Sequence, residues 1–255
     1  MAVDKSDKEF MATLAKGLAV LGAFDKARPA MTLSQAAEVA GLSRATARRI
    51  LRTLTTLGYV EQSGRQFTLS SRILKLGYAY LATQNWIEQA AAPMRQLSEQ
   101  FHESCSLAIL QGTEIVYVAR IPASRIISVA LAVGTRLPAF HTALGRIQLG
   151  YLDDAELWRR LWSLHIEAYT PSTITDIQAL FDRVREDHVQ QFAIVDEELE
   201  RGLRAIAVPI LDRSGQVVAA LNLSTHSTRT TRNEMRERFL PNLRAIAKQI
   251  SASVI

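Results

Sequence analysis

Cysteine is nearly absent from this chain: Cys105 is the single thiol in 255 residues, which excludes an internal disulfide and fits a reducing compartment. Long hydrophobic runs are missing too. No stretch reaches 18 apolar residues, and Met1 to Glu9 is polar and charged instead of basic and then apolar, so neither a membrane span nor a secretory signal is expected. The sequence holds no Gly-rich phosphate loop, and no nucleophile motif surrounds Cys105, His102 or His141. His102, His141, His165, His188 and His226 lie scattered, with no i, i+4 pair and no paired cysteines, so no metal and no cofactor are expected. Catalysis has no visible machinery. Internal repeats and low-complexity segments are also lacking, whereas 48% hydrophobic content suffices for packed cores in one large or two medium domains.

What is present is a charge asymmetry. Residues 1–83 carry 12 Lys and Arg against 6 Asp and Glu, whereas residues 84–255 carry 18 against 19, so the whole surplus of +5 lies in the first third. A basic module followed by a near-neutral one points to a polyanion as the partner of the first. Phe10, Leu14, Leu18, Leu21 and Phe24 recur at three- and four-residue steps, predicting a helix with one buried face that ends before Pro29. Thr32 and Gln35 form a capping box that opens a helix over Leu33 to Ala40, with Ala36, Ala37 and Val39 inward. Gly41-Leu42 makes a turn, and Ser43 caps a second helix whose Ala47, Ile50, Leu51, Leu54 and Leu57 share a stripe. At about 100° per residue, Ala45, Arg48, Arg49, Arg52 and Thr56 point away from that stripe. Four arginines and no acid lie between Ser43 and Leu57. Two helices joined by a tight turn, the second rich in arginine, read as a helix-turn-helix whose second helix enters the major groove, where Arg forks onto guanine or phosphate. The DNA-contacting set is therefore Ser43, Arg44, Ala45, Thr46, Arg48, Arg49 and Arg52. Strand-like runs at Tyr59 to Gln62 and Gln66 to Ser70 flank Ser63-Gly64-Arg65, a wing that brings Arg65 to the backbone or minor groove. Residues 71–84 follow as a linker helix, apolar nearly all round at Ile73, Leu74, Leu76, Tyr78, Tyr80 and Leu81. Such a helix calls for cover on several sides, from a domain or a second subunit.

The remainder, 85–255, reads as an α+β domain. Asn85 and Glu88 cap a helix running to about Phe101; strands are predicted at Ser106 to Gln111, Ile115 to Ile121 and Ile126 to Val133; helices at Thr142 to Leu152, Asp153 to Trp162 and Thr175 to Gln190, the last capped by Thr175 and Gln178. Strands resume at Phe192 to Val195, Leu203 to Leu211 and Val217 to Ser224, with Asp212 to Gly215 as a turn and Pro209 at an edge or bulge. Thr231 and Glu234 cap a last helix with Met235, Phe239, Leu243, Ile246, Ala247 and Ile250 on one face.

Thr32 to Leu69 and Phe192 to Ser227, together with the stretches Arg136-LPAFHTALG-Arg146, Val195-DEELERGLRAIAV-Pro209 and Gly215-QVVAALNL-Ser224, resemble the IclR family of bacterial transcription regulators. Glu9 to Phe24 and Val195 to His226 look like its PcaR, PcaU and PobR subgroup, whose members regulate protocatechuate, 4-hydroxybenzoate and β-ketoadipate catabolism. The resemblance implies a winged helix-turn-helix over 1–70, the linker helix, and a GAF-like effector domain with antiparallel sheet and helices. It also implies a homodimer or dimer of dimers that reads a double-stranded operator in the cytoplasm, with RNA polymerase as a further partner. Two-fold symmetry sets two recognition helices about 34 Å apart on one face of DNA. The effector site that the resemblance carries over is Ala143, Leu144, Val195, Asp196, Ala205, Asn222 and Ser224. Ala143, Leu144 and Val195 replace small polar residues of other members, favouring a larger, partly apolar carboxylate of the protocatechuate, 4-hydroxybenzoate or β-ketoadipate class.

Asn222 and Ser224, two apart on a strand, share one side, where they either hydrogen-bond a carboxylate or hydroxyl or satisfy backbone groups at a strand end. The helix start after Phe140-His141 suits an anion, and His141 is either a ligand contact or a structural hydrogen-bonder. Arg120 and Arg146 pair either with a ligand carboxylate or with the Asp196-Glu197-Glu198 run, itself read as a solvated loop. Two rivals stand beside the regulator: a structural DNA binder without a ligand, and an enzyme.

Overall fold

The computed structural model describes residues 9–123 and 131–254. The chain divides into two compact units, Met1–Thr83 and Gln84–Ile255. In the first, α1 (Ala12–Gly22) packs its C-terminal end on α3, so the buried residues are Val20, Ala23 and Phe24. Leu14 and Leu18, placed by periodicity on the buried face, are instead 59% and 58% exposed, because the small core ends before the first two turns. After β1 (Ala30–Thr32), Thr32 and Gln35 close both bonds of the capping box at the start of α2 (Leu33–Val39). Ala36 and Ala37 are buried, but Val39, the last helical residue, is exposed. Gly41, at φ +63°, supplies the left-handed turn that a side chain would strain. Ser43 Oγ then accepts the Thr46 amide (3.2 Å) and opens α3 (Arg44–Thr56).

Ala47, Ile50, Leu51 and Leu54 seat α3 in the core, whereas Leu57, just past the helix end, is exposed. The wing is the hairpin β2 (Val60–Ser63) and β3 (Gln66–Leu69), turned at Gly64-Arg65. β1 joins it to give the order β1-β3-β2. That strand went unread in the sequence because three residues show no alternation. A 3-10 turn (Ser71–Ile73) leads into α4 (Leu74–Ala82), in which no residue is buried; Leu74 and Tyr78 are about 70% exposed. Among the described residues of the first unit, none supplies the cover predicted for this helix.

The second unit opens with α5 (Asn85–Phe101). Asn85 is its first helical residue and not its cap: Gln84 precedes the helix, makes no capping bond and instead accepts from the Trp86 indole (2.9 Å). Six antiparallel strands follow in the order β6-β5-β4-β9-β8-β7: β4 (Ser104–Gln111), β5 (Glu114–Ile121), β6 (Arg136–Pro138), β7 (Ala193–Asp196), β8 (Leu203–Leu211) and β9 (Val217–His226). The strand predicted at Ile126 to Val133 falls largely outside the described residues, and Leu131 to Val133 are not in a strand. Pro209 lies past the last β8 residue paired with β7, so no partner there needs its missing N–H.

One face of the sheet packs on α5 and on the C-terminal helix, which runs from the capping box of α9 (Arg232–Glu234) through a π turn (Met235–Phe239) into α10 (Leu240–Ser251). The other face packs on α6 (Ala143–Leu149), every residue of which is buried. Small residues allow the close approach: Ala108, Ala205, Ala207 and Ala220 face α6. Outside α6 lie α7 (Asp154–Trp162), capped by Asp153, and α8 (Ile177–Gln190). The α8 cap is Asp176, whose carboxylate accepts the Ala179 amide (2.7 Å), and not the predicted Thr175–Gln178 box; Gln178 donates to Asp182. A carboxylate makes the stronger acceptor at a helix N-terminus.

Candidate functional site

In the first unit the caps fix the pitch of α3, and its buried stripe fixes its rotation. Arg44, Arg48 and Arg52, four residues apart, thereby fall in one row. They line a groove closed on its other side by Gln62, Gly64 and Arg65 of the wing and by Thr32 to Ser34 at the start of α2. Ala45 and Arg49 are exposed beside this groove and do not line it, and Thr46 is half-buried with its hydroxyl on Ser43 Oγ (2.9 Å). Among the described residues no carboxylate pairs with Arg44, Arg48, Arg49, Arg52 or Arg65. Five uncompensated guanidinium groups on one helix and its wing make a surface for a polyanion.

In the second unit a cavity of about 350 Å³ opens between the sheet and α6. Its walls hold six of the seven residues carried over from the resemblance: Ala143, Leu144, Val195, Ala205, Asn222 and Ser224. Asp196 is not among them, because both its oxygens take the Arg204 guanidinium (2.7 and 2.9 Å). Gly145 lets α6 sit against the preceding 3-10 turn (Ala139–His141); a Cβ there would collide with the Ala139 backbone.

Asn222 is only partly available to a ligand. Its Oδ1 accepts the Ser106 amide across the strand pair (3.1 Å), which leaves its NH2 as the free end. Arg146 does not reach the cavity: fully buried, it holds Phe140 O (3.1 Å), Glu198 and, at 3.6 Å, Asp187. Glu198, read in the sequence as part of a solvated loop, is therefore buried and paired. Arg120 behaves otherwise. It lines the cavity, is half-buried, donates to Ser106 Oγ (3.2 Å) and has no carboxylate partner among the described residues; burial lowers its pKa from the ordinary guanidinium value.

A bulge that the sequence did not disclose sets this wall. Ala119 pairs with Leu107 and Tyr117 with Ala108, so Val118 is an extra residue in β5. Strict alternation would send Tyr117 and Arg120 to opposite faces; the bulge puts both on the cavity side. His141 is there as well, 4% exposed, its ring edge-on to Tyr169 (5.6 Å). Burial, then the charge of Arg146, depress its pKa to about 4, so its imidazole is neutral near pH 7. Glu103, also on the cavity wall, accepts from Thr225 (2.6 Å) and Arg229 (3.3 Å).

Comparison with known proteins agrees with this geometry in both units. Residues 13–64 match the model of the IclR helix-turn-helix domain, and residues 78–252 that of the bacterial transcriptional regulator IclR C-terminal domain. The chain is 43% identical over 245 residues to the Pca regulon regulatory protein of Pseudomonas putida, covering 96% of this chain and 84% of that one. It is 33% identical over 248 residues to the p-hydroxybenzoate hydroxylase transcriptional activator of Acinetobacter baylyi, covering 95% and 92%. A transcriptional regulator of Rhodococcus sp. RHA1, of known structure, superposes with a TM-score of 0.84 at 42% identity, covering 95% of this chain and 98% of that one. A DNA-reading unit joined to an α+β domain with a buried cavity, matched over nearly the whole chain, places this protein in the IclR family of bacterial transcriptional regulators.

Proposed function

We propose that this regulator controls genes of aromatic-acid catabolism and that a small carboxylate in the cavity sets its grip on operator DNA. Residues 1–70 bind the operator through Ser43, Arg44, Ala45, Thr46, Arg48, Arg49, Arg52 and Arg65; residues 71–84 link; residues 85–255 bind the effector. The observation that carries the effector reading is Arg120: a cation at the wall of a cavity lined by Leu131, Leu137, Ala143, Leu144, Val195 and Ala205, in ion-pair contact with no carboxylate among the described residues. An anion with an apolar body suits that combination, and the p-hydroxybenzoate connection of a relative over 95% of this chain supports the aromatic class. Protocatechuate, 4-hydroxybenzoate and β-ketoadipate are the candidates. The protein acts in the cytoplasm, without catalysis of its own, as a homodimer or dimer of dimers whose paired recognition helices span successive turns of a pseudo-palindrome, and it meets RNA polymerase at the promoter.

A thermal-shift series with these three acids tests the reading. A ligand at about 100 times its dissociation constant stabilises the fold by about 2.7 kcal/mol, a readable shift. No shift from any of the three, or an equal shift from neutral sugars, would sink it.

A further inference from the structure

Two further side chains on the cavity wall are each at least nine-tenths buried, and neither has a hydrogen-bond partner among the described residues. The Tyr117 phenol, 5% exposed, makes no side-chain hydrogen bond, and the His141 ring, 4% exposed, makes none at either nitrogen; Nδ1 is fully enclosed and still unpartnered. Buried polar groups are normally satisfied, so the enclosed and unmet His141 Nδ1 is unfavourable, while the Tyr117 hydroxyl and His141 Nε2, buried less completely, stay open to a partner inside the cavity. Their placement is local to one end of the site. Tyr117 stands on β5 where Gly134 and Thr135 bond its backbone, and His141 ends the 3-10 turn that follows β6, β5's neighbour at the sheet edge. Arg120 lies three residues along β5 from Tyr117, a spacing of at most about 10 Å on a strand.

We propose that Tyr117 and His141 form an uncharged pole that recognises a neutral oxygen, hydroxyl or keto, on the effector whose carboxylate Arg120 holds. This inference rests on the carboxylate reading above and adds the feature that separates one carboxylate from another. A phenol donates and accepts; a neutral imidazole does one at each nitrogen. With its pKa depressed to about 4, His141 brings no positive charge to this pole, which therefore suits a hydroxyl or keto group better than a second carboxylate. A site built to bond an oxygen discriminates strongly against the analogue that lacks it, since its own buried groups are then left unpaired.

Matched acids that differ by that one oxygen test the inference by calorimetric titration of the full chain: 4-hydroxybenzoate against benzoate, and β-ketoadipate against adipate. In the wild type the oxygenated member of at least one pair binds tighter by about tenfold or more. Tyr117→Phe, which keeps the ring and its packing, reduces that ratio toward one, as does His141→Asn; the phenylalanine variant carries the test if the asparagine variant does not fold. Arg120→Gln weakens both members of the pair together. Equal binding within a pair, with Arg120→Gln still damaging, overturns the neutral pole and leaves the carboxylate reading standing. An unchanged ratio in Tyr117→Phe overturns it equally. If none of the four acids binds, or Arg120→Gln changes nothing, the carboxylate reading fails and takes this inference with it.

Discussion

The guanidinium of Arg146, inside α6, holds the carboxylate of Glu198, which begins the segment that carries Leu199 to Gly202 along the cavity. The same guanidinium donates to Phe140 O, next to His141. One buried cation thus fixes two parts of the cavity lining. Replacing Arg146 with Ala leaves Glu198 and Asp187 buried without their partner, and breaking such a pair costs about 3–5 kcal/mol. Urea denaturation measures this; a loss below about 1 kcal/mol contradicts it.

Asp187 gives the chain a pH signature. Burial, opposed by Arg146, raises its carboxyl pKa to about 7 from an ordinary 3.8, and its Oδ2 makes no hydrogen bond. A raised folded-state pKa means stability that is complete below about pH 4 and lost as pH rises through about 7. His141, with its pKa depressed from 6.5 to about 4, has the opposite slope, losing stability on acidification. Asp187→Asn removes only the first contribution. The melting temperature of this variant, minus that of the wild type, should therefore increase from pH 5 to pH 8; a constant difference refutes the assignment.

Asn222→Leu separates a structural role from a ligand role. Because Asn222 Oδ1 accepts the Ser106 amide, the variant should lower the stability of the unliganded protein by about 1–3 kcal/mol, besides any effect on the effector. An unchanged unliganded melt means that the bond contributes little and that Asn222 is free to serve the ligand alone.

For DNA, each of Arg44, Arg48 and Arg52 on the groove row should matter more than Arg49 beside it. A single Arg→Ala change in a base-reading contact costs about 1–3 kcal/mol, roughly tenfold to a hundredfold in affinity. The triple Arg48, Arg49, Arg52→Ala variant should lose specific binding at about 150 mM salt. Gel shifts with promoter DNA read both, and wild-type binding by the triple variant rules out α3 as the reading helix.

The helix-turn-helix was legible because caps and stripes are local: Thr32–Gln35, Gly41 and Ser43 specify their turns through bonds to residues three or four away. Six of the seven candidate effector positions line the cavity, and they were picked out through resemblance. What escaped was non-local. The register slip at Val118 depends on pairing with β4, so the alignment of Tyr117 with Arg120 had no signal in β5 itself. The burial of Glu198 depends on Arg146, 52 residues earlier, and a run of three acids reads as solvent-facing until its partner is located. Leu14 and Leu18 misled in the other direction, since periodicity reports a face but not where the core ends.

Control of DNA binding by a carboxylate on Arg120 is read from operator affinity with and without the stabilising acid, in wild type and in Arg120→Gln. The acid should change wild-type affinity several-fold in one direction, while the variant binds DNA as well as the wild type without acid and ignores the acid up to concentrations that saturate the wild type. An Arg120→Gln protein whose DNA affinity still responds to the acid at wild-type concentrations would contradict it.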